Sequence, residues 1–277
     1  MEDYSQLVPN AHFELIPIKN LVSNQEYQRI LKSLHVKRTV ADFDLYQINP
    51  VKISRRDGIN YVVNGQHTIE IVAAASGSRE VPVWCMIYDD LYYQKEAGVF
   101  ADQQKYVKHL SAYEIFMANI QAGRDQQLII KDLVKSYSLF ISSSKTPGGI
   151  CAISTLEYIH QKFGFHVLDR TLRLCVVTWE GDINSLAGSI LRGISKLIVA
   201  YEDELKEAIF KEKLGRCSIK ELSRMASERK AGSIGYAEAM LTMYNKRQRN
   251  PLQLLKLYKT KGDEQEELIE NEEGKNQ

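Results

Sequence analysis

The stretch "YVVNGQHTIEIVAAASGSREVPVWCMIYDD", from Tyr61 to Asp90, decides the fold of the first part of the chain. It begins as a strand, breaks at Asn64-Gly65 and continues as an apolar, alanine-rich helix. Gly77, a residue favoured just after a helix, marks the end of that helix. The following "EVPVWCMIYDD" is typical of a strand, so the stretch predicts strand, turn, helix and strand in succession.

The residues before this stretch predict a strand, a helix and one arm of a hairpin. "FELIPI" (13–18) is typical of a short strand. A helix is expected from Ser23 to Val36, with Ser23 as N-cap and Glu26 completing a capping box. Asp57-Gly58 lies between two alternating apolar segments, which is the strongest short signal for a two-residue β-hairpin.

From Leu110 onward the apolar spacing is helical, and the class is therefore α+β. A helix is expected through "DQQLIIKDLVKSYSLFI" (125–141), and one long amphipathic helix from Ser189 to Gly215. The expected domains are residues 1–109 and 110–258. Residues 259–277 are expected to be a disordered acidic tail, because seven acids and two lysines between Lys261 and Gln277 give it a charge of −5.

Composition limits the class of protein more than its function. The net charge of +1 favours neither nucleic acid nor membranes as a partner by global electrostatics. The four cysteines are far apart and without metal-site spacing, so we expect buried, reduced thiols and no metal site. The N-terminus lacks a signal-peptide pattern and no apolar run is long enough to span a bilayer. These features predict a cytoplasmic protein.

The Asn64-Gly65 turn raises two interpretations. Glycine permits a tight backbone turn, and the first amides of a helix have no intrahelical partners. Together with the helix dipole they form an anion site, to which Gln66, His67 and Thr68 would add side-chain donors. The alternative is an ordinary hairpin-to-helix connection in which Asn64 or Thr68 only caps the helix.

The order strand, "YQR", hairpin, Gly-x-[His/Arg]-x, alanine-rich helix and "VPVWCMI" resembles the N-terminal domain of the ParB/sulfiredoxin superfamily. The resemblance covers about residues 13–123 and implies a small mixed sheet, followed here by an unrelated helical domain. It implies that Asn64, Gly65, Gln66, His67 and Thr68 face a nucleotide phosphate. Gln28 and Arg29 of "EYQR" correspond to a segment near the family's nucleotide pocket.

This sequence departs from the family at several of those positions. Gln66 replaces the catalytic Cys of sulfiredoxins, which argues against sulfinic-acid reduction, and Thr68 replaces an Arg that would bind phosphate through two hydrogen bonds. Gln103 and Gln104 fall on the family's Glu-Asn pair, with Lys105 nearby. An amide is a poor substitute for a carboxylate ligand of Mg²⁺, although Asp102 is one position away.

The resemblance implies a nucleotide- or DNA-binding protein of a bacterial chromosome, plasmid, phage or mobile element. A nucleoside triphosphate (CTP or ATP) with Mg²⁺, DNA and a second copy of the chain are the implied partners. One alternative is a nucleotide hydrolase, phosphotransferase or nuclease on the same scaffold, for which Glu70, Asp89, Asp102 and Glu114 are carboxylate candidates. Another is a degenerate domain that only binds other proteins.

Basic residues near two helix ends in the second domain are candidates for DNA phosphate contacts. Their positions are equally explained by the helix dipole, which favours cations at helix C-termini. They are Arg224, Arg229, Lys230, Lys246, Arg247 and Arg249.

Overall fold

The computed structural model describes residues 9–23, 31–105 and 109–258. The chain divides into two compact units, residues 1–109 and 110–277. The acidic tail lies outside the described residues, as does Glu26 of the expected capping box. Ser23 ends a strand, and the first α-helix in the described residues begins only at Ser33.

The first unit contains a five-stranded mixed sheet in the order β1-β5-β3-β4-β2. β1 is antiparallel to β5, and β3 is antiparallel to β4. β3 is parallel to β5, and β2 is parallel to β4. The strands are β1 (Ala11–Pro17), β2 (Leu21–Ser23), β3 (Val51–Arg56), β4 (Ile59–Asn64) and β5 (Pro82–Tyr88).

The predicted hairpin and the predicted helix after Gly65 are both confirmed. Asp57 and Gly58 have φ values of 52° and 76°, as a hairpin turn with two left-handed residues requires. The α-helices of this unit among the described residues are α1 (Ser33–Ala41), α2 (Gln66–Ser76) and α3 (Tyr93–Lys105).

One apolar core unites the sheet with α2 and with the connection after β1. Alternate residues of the central strands point to one face, which buries them against Ile69 and Val72 of α2. The fully or nearly fully buried strand residues are Ile16, Val51, Ile53, Val62, Val83, Cys85 and Ile87. This packing fixes the end of β4, and therefore the Gly65 turn, against β3.

The second unit is helical, which with the sheet of the first unit confirms the α+β class. Its helices are α4 (Ala112–Gln121), α5 (Asp125–Ser136), α6 (Ile153–Phe163), α7 (Phe165–Trp179), α8 (Gly188–Tyr201), α9 (Glu207–Leu214), α10 (Ile219–Ser227), α11 (Gly232–Asn245) and α12 (Leu254–Tyr258). The helix expected through residue 141 is too long. α5 ends at Ser136, Ser138 has a φ of 58°, and Phe140–Ile141 (β6) pairs in parallel with Gly149–Ile150 (β7).

The single long helix expected from Ser189 to Gly215 is wrong, because the chain breaks after Tyr201. Glu202 has a φ of 43° and begins a short 3₁₀ turn that leads to α9. Arg170 of α7 donates hydrogen bonds to the carbonyl oxygens of Glu202 (2.9 Å) and Leu205 (2.5 Å). The backbone N–H of Lys206 donates to the hydroxyl of Tyr244 at 3.0 Å, so distant side chains satisfy the broken helix ends.

Three of the four cysteines are buried, and the expectation is wrong for the fourth. Burial raises the pKa of Cys175 to about 12 and those of Cys85 and Cys217 to about 11. Cys151 is exposed, because it follows β7 at the surface before α6 begins. Among the described residues, no helix is long and apolar enough to cross a membrane.

Candidate functional site

The turn between β4 and α2 has a backbone that only glycine accepts without strain. Gly65 has φ 109° and ψ 13°. A Cβ atom at this position would lie 3.2 Å from the Cα, Cγ1 and Cγ2 atoms of Val51 in β3. Both the dihedral angle and the close approach of β3 therefore require glycine here.

The first turn of α2 begins without a side-chain cap. The Gly65 carbonyl accepts the hydrogen bond of Ile69 at 3.0 Å, so the helix proper starts at Gln66. Within the described residues, the backbone N–H groups of Gln66 and Thr68 have no acceptor. Gly65, Gln66, His67 and Thr68 are half-buried, which leaves this helix start accessible to a ligand.

Lys52 is a cation of this corner that the sequence analysis missed. It lies opposite Asn64 in the pairing of β3 with β4, directly after Val51, which contacts Gly65. Lys52 is half-buried, and no carboxylate pairs with it in the part of the chain that the structure describes. The sequence did not reveal this pairing: the register of the Asp57-Gly58 hairpin alone would place Val51 opposite Asn64, and an irregularity between Lys52 and Ile53 shifts Lys52 into that position.

Asn64 and Gln103, two of the predicted site residues, are brought together. The Asn64 side-chain amide donates a hydrogen bond to Oε1 of Gln103 at 2.9 Å, which joins the end of β4 to α3. Gln104 follows on α3, and the exposed Lys105 is the last residue of that helix. Gln28 and Arg29 lie outside the described residues.

The candidate carboxylates are dispersed rather than gathered at the Gly65 turn. Glu70 is held by the guanidinium of Arg79 through contacts of 3.0 and 3.1 Å. Asp89 pairs with His12 at 3.2 Å. Glu114 belongs to the second unit and completes the capping box of α4 with Ser111. Asp102 is exposed on α3. Of these four acids it alone is next in sequence to Gln103, the residue that contacts Asn64.

A buried ion pair anchors α3 to the hairpin. Glu96 has no exposed surface, and its carboxylate accepts hydrogen bonds from Nε and Nη2 of Arg56, the latter at 3.3 Å. The Arg56 guanidinium also lies 4.2 Å from the ring centroid of Tyr61. Glu96 and Gln103 are seven residues apart on α3, so both contacts lie on the same side of that helix.

A second ion-pair network joins β1 to β3. Arg55 donates to both oxygens of Glu14 at 3.0 and 2.6 Å, and His12 contacts the same carboxylate at 3.0 Å. The bidentate hydrogen bonds from Arg55 lower the pKa of Glu14 to about 2, against an opposing effect of burial. This network supports the sheet at a distance in sequence from the Gly65 turn.

α1 borders the Gly65 turn through a contact that the sequence did not predict. The rings of His35 in α1 and His67 in α2 are edge to face, with centroids 5.5 Å apart. No periodic pattern relates residues 35 and 67, so only the packing of α1 on α2 reveals the contact.

The six basic candidates of the second unit separate into two groups. Arg229 donates to the carbonyl oxygen of Met225 and to the Thr242 hydroxyl, which ties α10 to α11. Lys230 lies 4.5 Å from the Tyr258 ring centroid, and Arg224 contacts Glu228 at 3.9 Å. The other three are exposed and have no carboxylate partner in the described residues; they are Lys246, Arg247 and Arg249.

The second unit also contains a cavity of about 390 Å³. It is lined by the residues just before α6, by the start of α8, and by Ile219 and Ser223 of α10 and Tyr236 of α11. No group of three or more His, Cys, Asp or Glu side chains in the described part of either unit is placed to hold a metal ion.

A family profile described as "Family of unknown function (DUF6551)" matches residues 22–256 of the chain. No curated protein matches it. Among solved structures, the chain is similar to the C-terminally truncated chromosome-partitioning protein ParB from Caulobacter crescentus, complexed with CTP-γ-S. That similarity has a TM-score of 0.36 and 13% identity, and it covers 83% of this chain and 99% of the ParB chain.

Proposed function

The chain belongs to the family of unknown function DUF6551, and we propose that its first unit binds the phosphate of a nucleotide or of DNA at the Gly65 turn. As the sequence resemblance implies, such a protein serves a bacterial chromosome, plasmid, phage or mobile element. CTP and ATP, with Mg²⁺, are the triphosphates that the resemblance suggests as ligands.

One observation carries the proposal: a helix of eleven residues starts without a cap at a glycine pressed against the neighbouring strand. Ser, Thr, Asp or Asn usually caps such an end, and their side-chain oxygens accept hydrogen bonds from the first amides. Here a bound phosphate oxygen would accept hydrogen bonds from the N–H groups of Gln66 and Thr68. The absence of a side chain at Gly65 lets β3 pack against the turn, and this packing fixes the position of these two N–H groups.

The side chains around the turn favour binding of a phosphate but not strong binding of a metal ion. Lys52 supplies a positive charge beside a turn that has Thr68 in place of an Arg. Gln103 offers an amide where the related domains hold Mg²⁺ through a carboxylate. We therefore expect phosphate affinity to depend on Lys52 more than on Mg²⁺.

The enzyme alternative depends on Asp102, because Glu70 is already held by Arg79. Asp102 is exposed and lies next to Gln103 in α3, so among these acids we propose it as the carboxylate of the enzyme alternative. If the domain is a hydrolase or a nuclease, Asp102→Asn abolishes turnover and leaves binding unchanged. If neither nucleotide nor DNA binds at all, a role in binding other proteins becomes the better explanation.

A thermal-shift titration with CTP, ATP, GTP and UTP, each with and without Mg²⁺, tests the proposal. A ligand present at a hundredfold excess over its dissociation constant should stabilise the binding unit by about 2.7 kcal/mol. Lys52→Gln should weaken binding roughly tenfold, as expected from loss of about 1.4 kcal/mol of charge-assisted hydrogen bonding. Lys95→Gln, which removes an exposed cation of α3 in the same unit, is the matched control and should have no effect.

A further inference from the structure

The described cations of the first unit differ in whether a carboxylate pairs with them. Four of them are engaged with carboxylates, in the pairs Lys19–Glu80, Arg55–Glu14, Arg56–Glu96 and Arg79–Glu70. By contrast, Lys32, Lys37 and Arg38 are exposed within seven residues of one another and have no carboxylate partner among the described residues. These three lie on α1 or at its N-cap.

The same segment also exposes apolar groups. Only Val36 of α1 is buried, whereas Leu34, on the face shared with Lys37 and Arg38, is 60% exposed. Four residues beyond α1, Leu45 and Tyr46 are 74% and 99% exposed.

The turn that presents Tyr46 is held by one of the two acids of the segment. Asp44 caps the turn by accepting the backbone N–H of Tyr46 at 3.0 Å. Asp42 is the other acid, and it is exposed at the end of α1. We define the α1 surface as Lys32, Leu34, Lys37, Arg38 and Tyr46.

The helix α1, which carries most of this surface, borders the Gly65 turn, because it packs on α2 and His35 contacts His67. The phosphates of a nucleoside triphosphate are confined to one site and would not reach cations spread along a neighbouring helix. The phosphates of a polynucleotide recur along the strand and can contact such cations, and its unpaired bases can stack on aromatic rings.

We infer that the α1 surface binds the phosphodiester backbone of a nucleic acid, and that the phosphate at the Gly65 turn belongs to the same strand. This inference rests on the proposed phosphate site and names its ligand class. The exposed Tyr46 favours a single strand over a duplex, since a paired base offers no free face for stacking.

Fluorescence anisotropy with a labelled 20-nucleotide DNA, single-stranded and as a duplex, tests the inference between 50 and 200 mM NaCl. The double variant Lys37→Gln/Arg38→Gln should lower the slope of log affinity against log salt by about 1.4 for the single strand or about 1.8 for the duplex. Tyr46→Ala should weaken single-strand binding by roughly fivefold to a hundredfold and leave the salt slope unchanged.

Two matched double variants are the controls. Lys131→Gln/Lys135→Gln removes two exposed cations of α5 and should change neither affinity nor slope. Lys246→Gln/Arg247→Gln removes candidates from the end of α11. If this pair, rather than the α1 pair, lowers the slope, DNA contacts lie in the second unit and the inference is overturned.

The remaining outcomes separate this inference from the proposed function. If nucleotide binding depends on Lys52 but the α1 variants do not change DNA affinity, the phosphate site is supported and nucleic-acid binding by the α1 surface is refuted. Binding of neither nucleotide nor DNA rejects both. A labelled peptide of residues 259–277 that binds through Lys37 and Arg38, without any DNA binding, would identify an acidic peptide as the occupant instead. Circular dichroism of each variant checks that the fold is retained.

Discussion

The carboxylate of Glu96 is fully buried and lies against the guanidinium of Arg56, which is 26% exposed. The two ends of this ion pair are therefore not equivalent. Loss of Arg56 leaves a carboxylate inside the protein without its counter-charge, whereas loss of Glu96 leaves a guanidinium that still reaches water.

We predict that Arg56→Met destabilises the first unit by about 3–5 kcal/mol and that Glu96→Met costs clearly less. The double variant should recover much of the loss. The chain has two tryptophans, Trp84 in β5 and Trp179 in α7, so urea unfolding in a Trp179→Phe background reports the first unit alone.

Arg79→Met is the matched control, because Arg79 and Glu70 are 51% and 28% exposed. An exposed pair contributes about 0–1 kcal/mol, so its loss should change stability little. Equal effects of Arg56→Met and Glu96→Met would contradict the asymmetry.

The Gly65 turn makes a second prediction about stability. Gly65→Ala should destabilise the first unit by about 2–3 kcal/mol, since it combines a strained φ with a close approach to Val51. Gly77→Ala, at a φ of 70° with no atom within 4 Å of the new Cβ, should cost only about 1–2 kcal/mol. Val51→Ala should rescue part of the Gly65→Ala loss, because two of the three close atoms belong to its side chain.

Chemical denaturation of the four variants, in the same tryptophan background, provides the measurement. Strict additivity of Val51→Ala and Gly65→Ala would mean that the two residues do not press on each other in solution.

Acid titration should reveal the ion pair of Glu14 with Arg55. The folded pKa of Glu14 is about 2, below the value of about 4.3 for an unfolded glutamate. Between these values the unfolded chain binds the extra proton, so the stabilisation is complete above about pH 4.3 and is lost as the pH falls towards 2.

The difference in urea midpoint between the native sequence and Glu14→Gln measures this contribution. It should be constant at pH 5 and above, and should shrink as the pH is lowered to 2.5. Arg55→Met should remove the same pH dependence, because Arg55 is the main cause of the lowered pKa. A midpoint difference that is unchanged from pH 6 to 2.5 would refute the assignment.

The break between α8 and α9 predicts an unequal response of two neighbouring arginines. Arg170→Met leaves the carbonyl oxygens of Glu202 and Leu205 without their donor and should cost about 2 kcal/mol. Arg173, which is 44% exposed and contacts the Glu207 carboxylate at 2.9 Å, is the comparison. Arg173→Met should change stability by less than about 1 kcal/mol, as measured by Trp179 fluorescence in a Trp84→Phe background.

The sequence predicted the elements that depend on contacts between neighbouring residues and missed those that depend on residues far apart in the chain. The Asp57-Gly58 turn and α2 depend on neighbouring residues, and both are where the sequence places them. The break at Glu202 depends on Arg170 and Tyr244, each more than thirty residues away, so the local apolar period predicted a continuous helix.

The same distinction applies to the candidate site. Gly65 was recognisable from an Asn-Gly pair at a strand end, a local signal. Lys52, His35 and the Arg56–Glu96 pair were not, because their relation to the turn arises from strand register and from helix packing. Nothing local in "YQKEAGVFADQQK" distinguishes Glu96 from the exposed polar residues around it.

The sheet order has a consequence for the newly synthesised chain. β1 pairs only with β5 within the described sheet, and the register joins Ala11 to Tyr88. At about 5–20 residues per second, a ribosome needs roughly 4–15 seconds to translate the intervening segment. During that interval the β3–β4 hairpin can form by itself. β1, with Phe13 and Leu15, stays unpaired until β5 has been synthesised, and chaperones can bind it during that time.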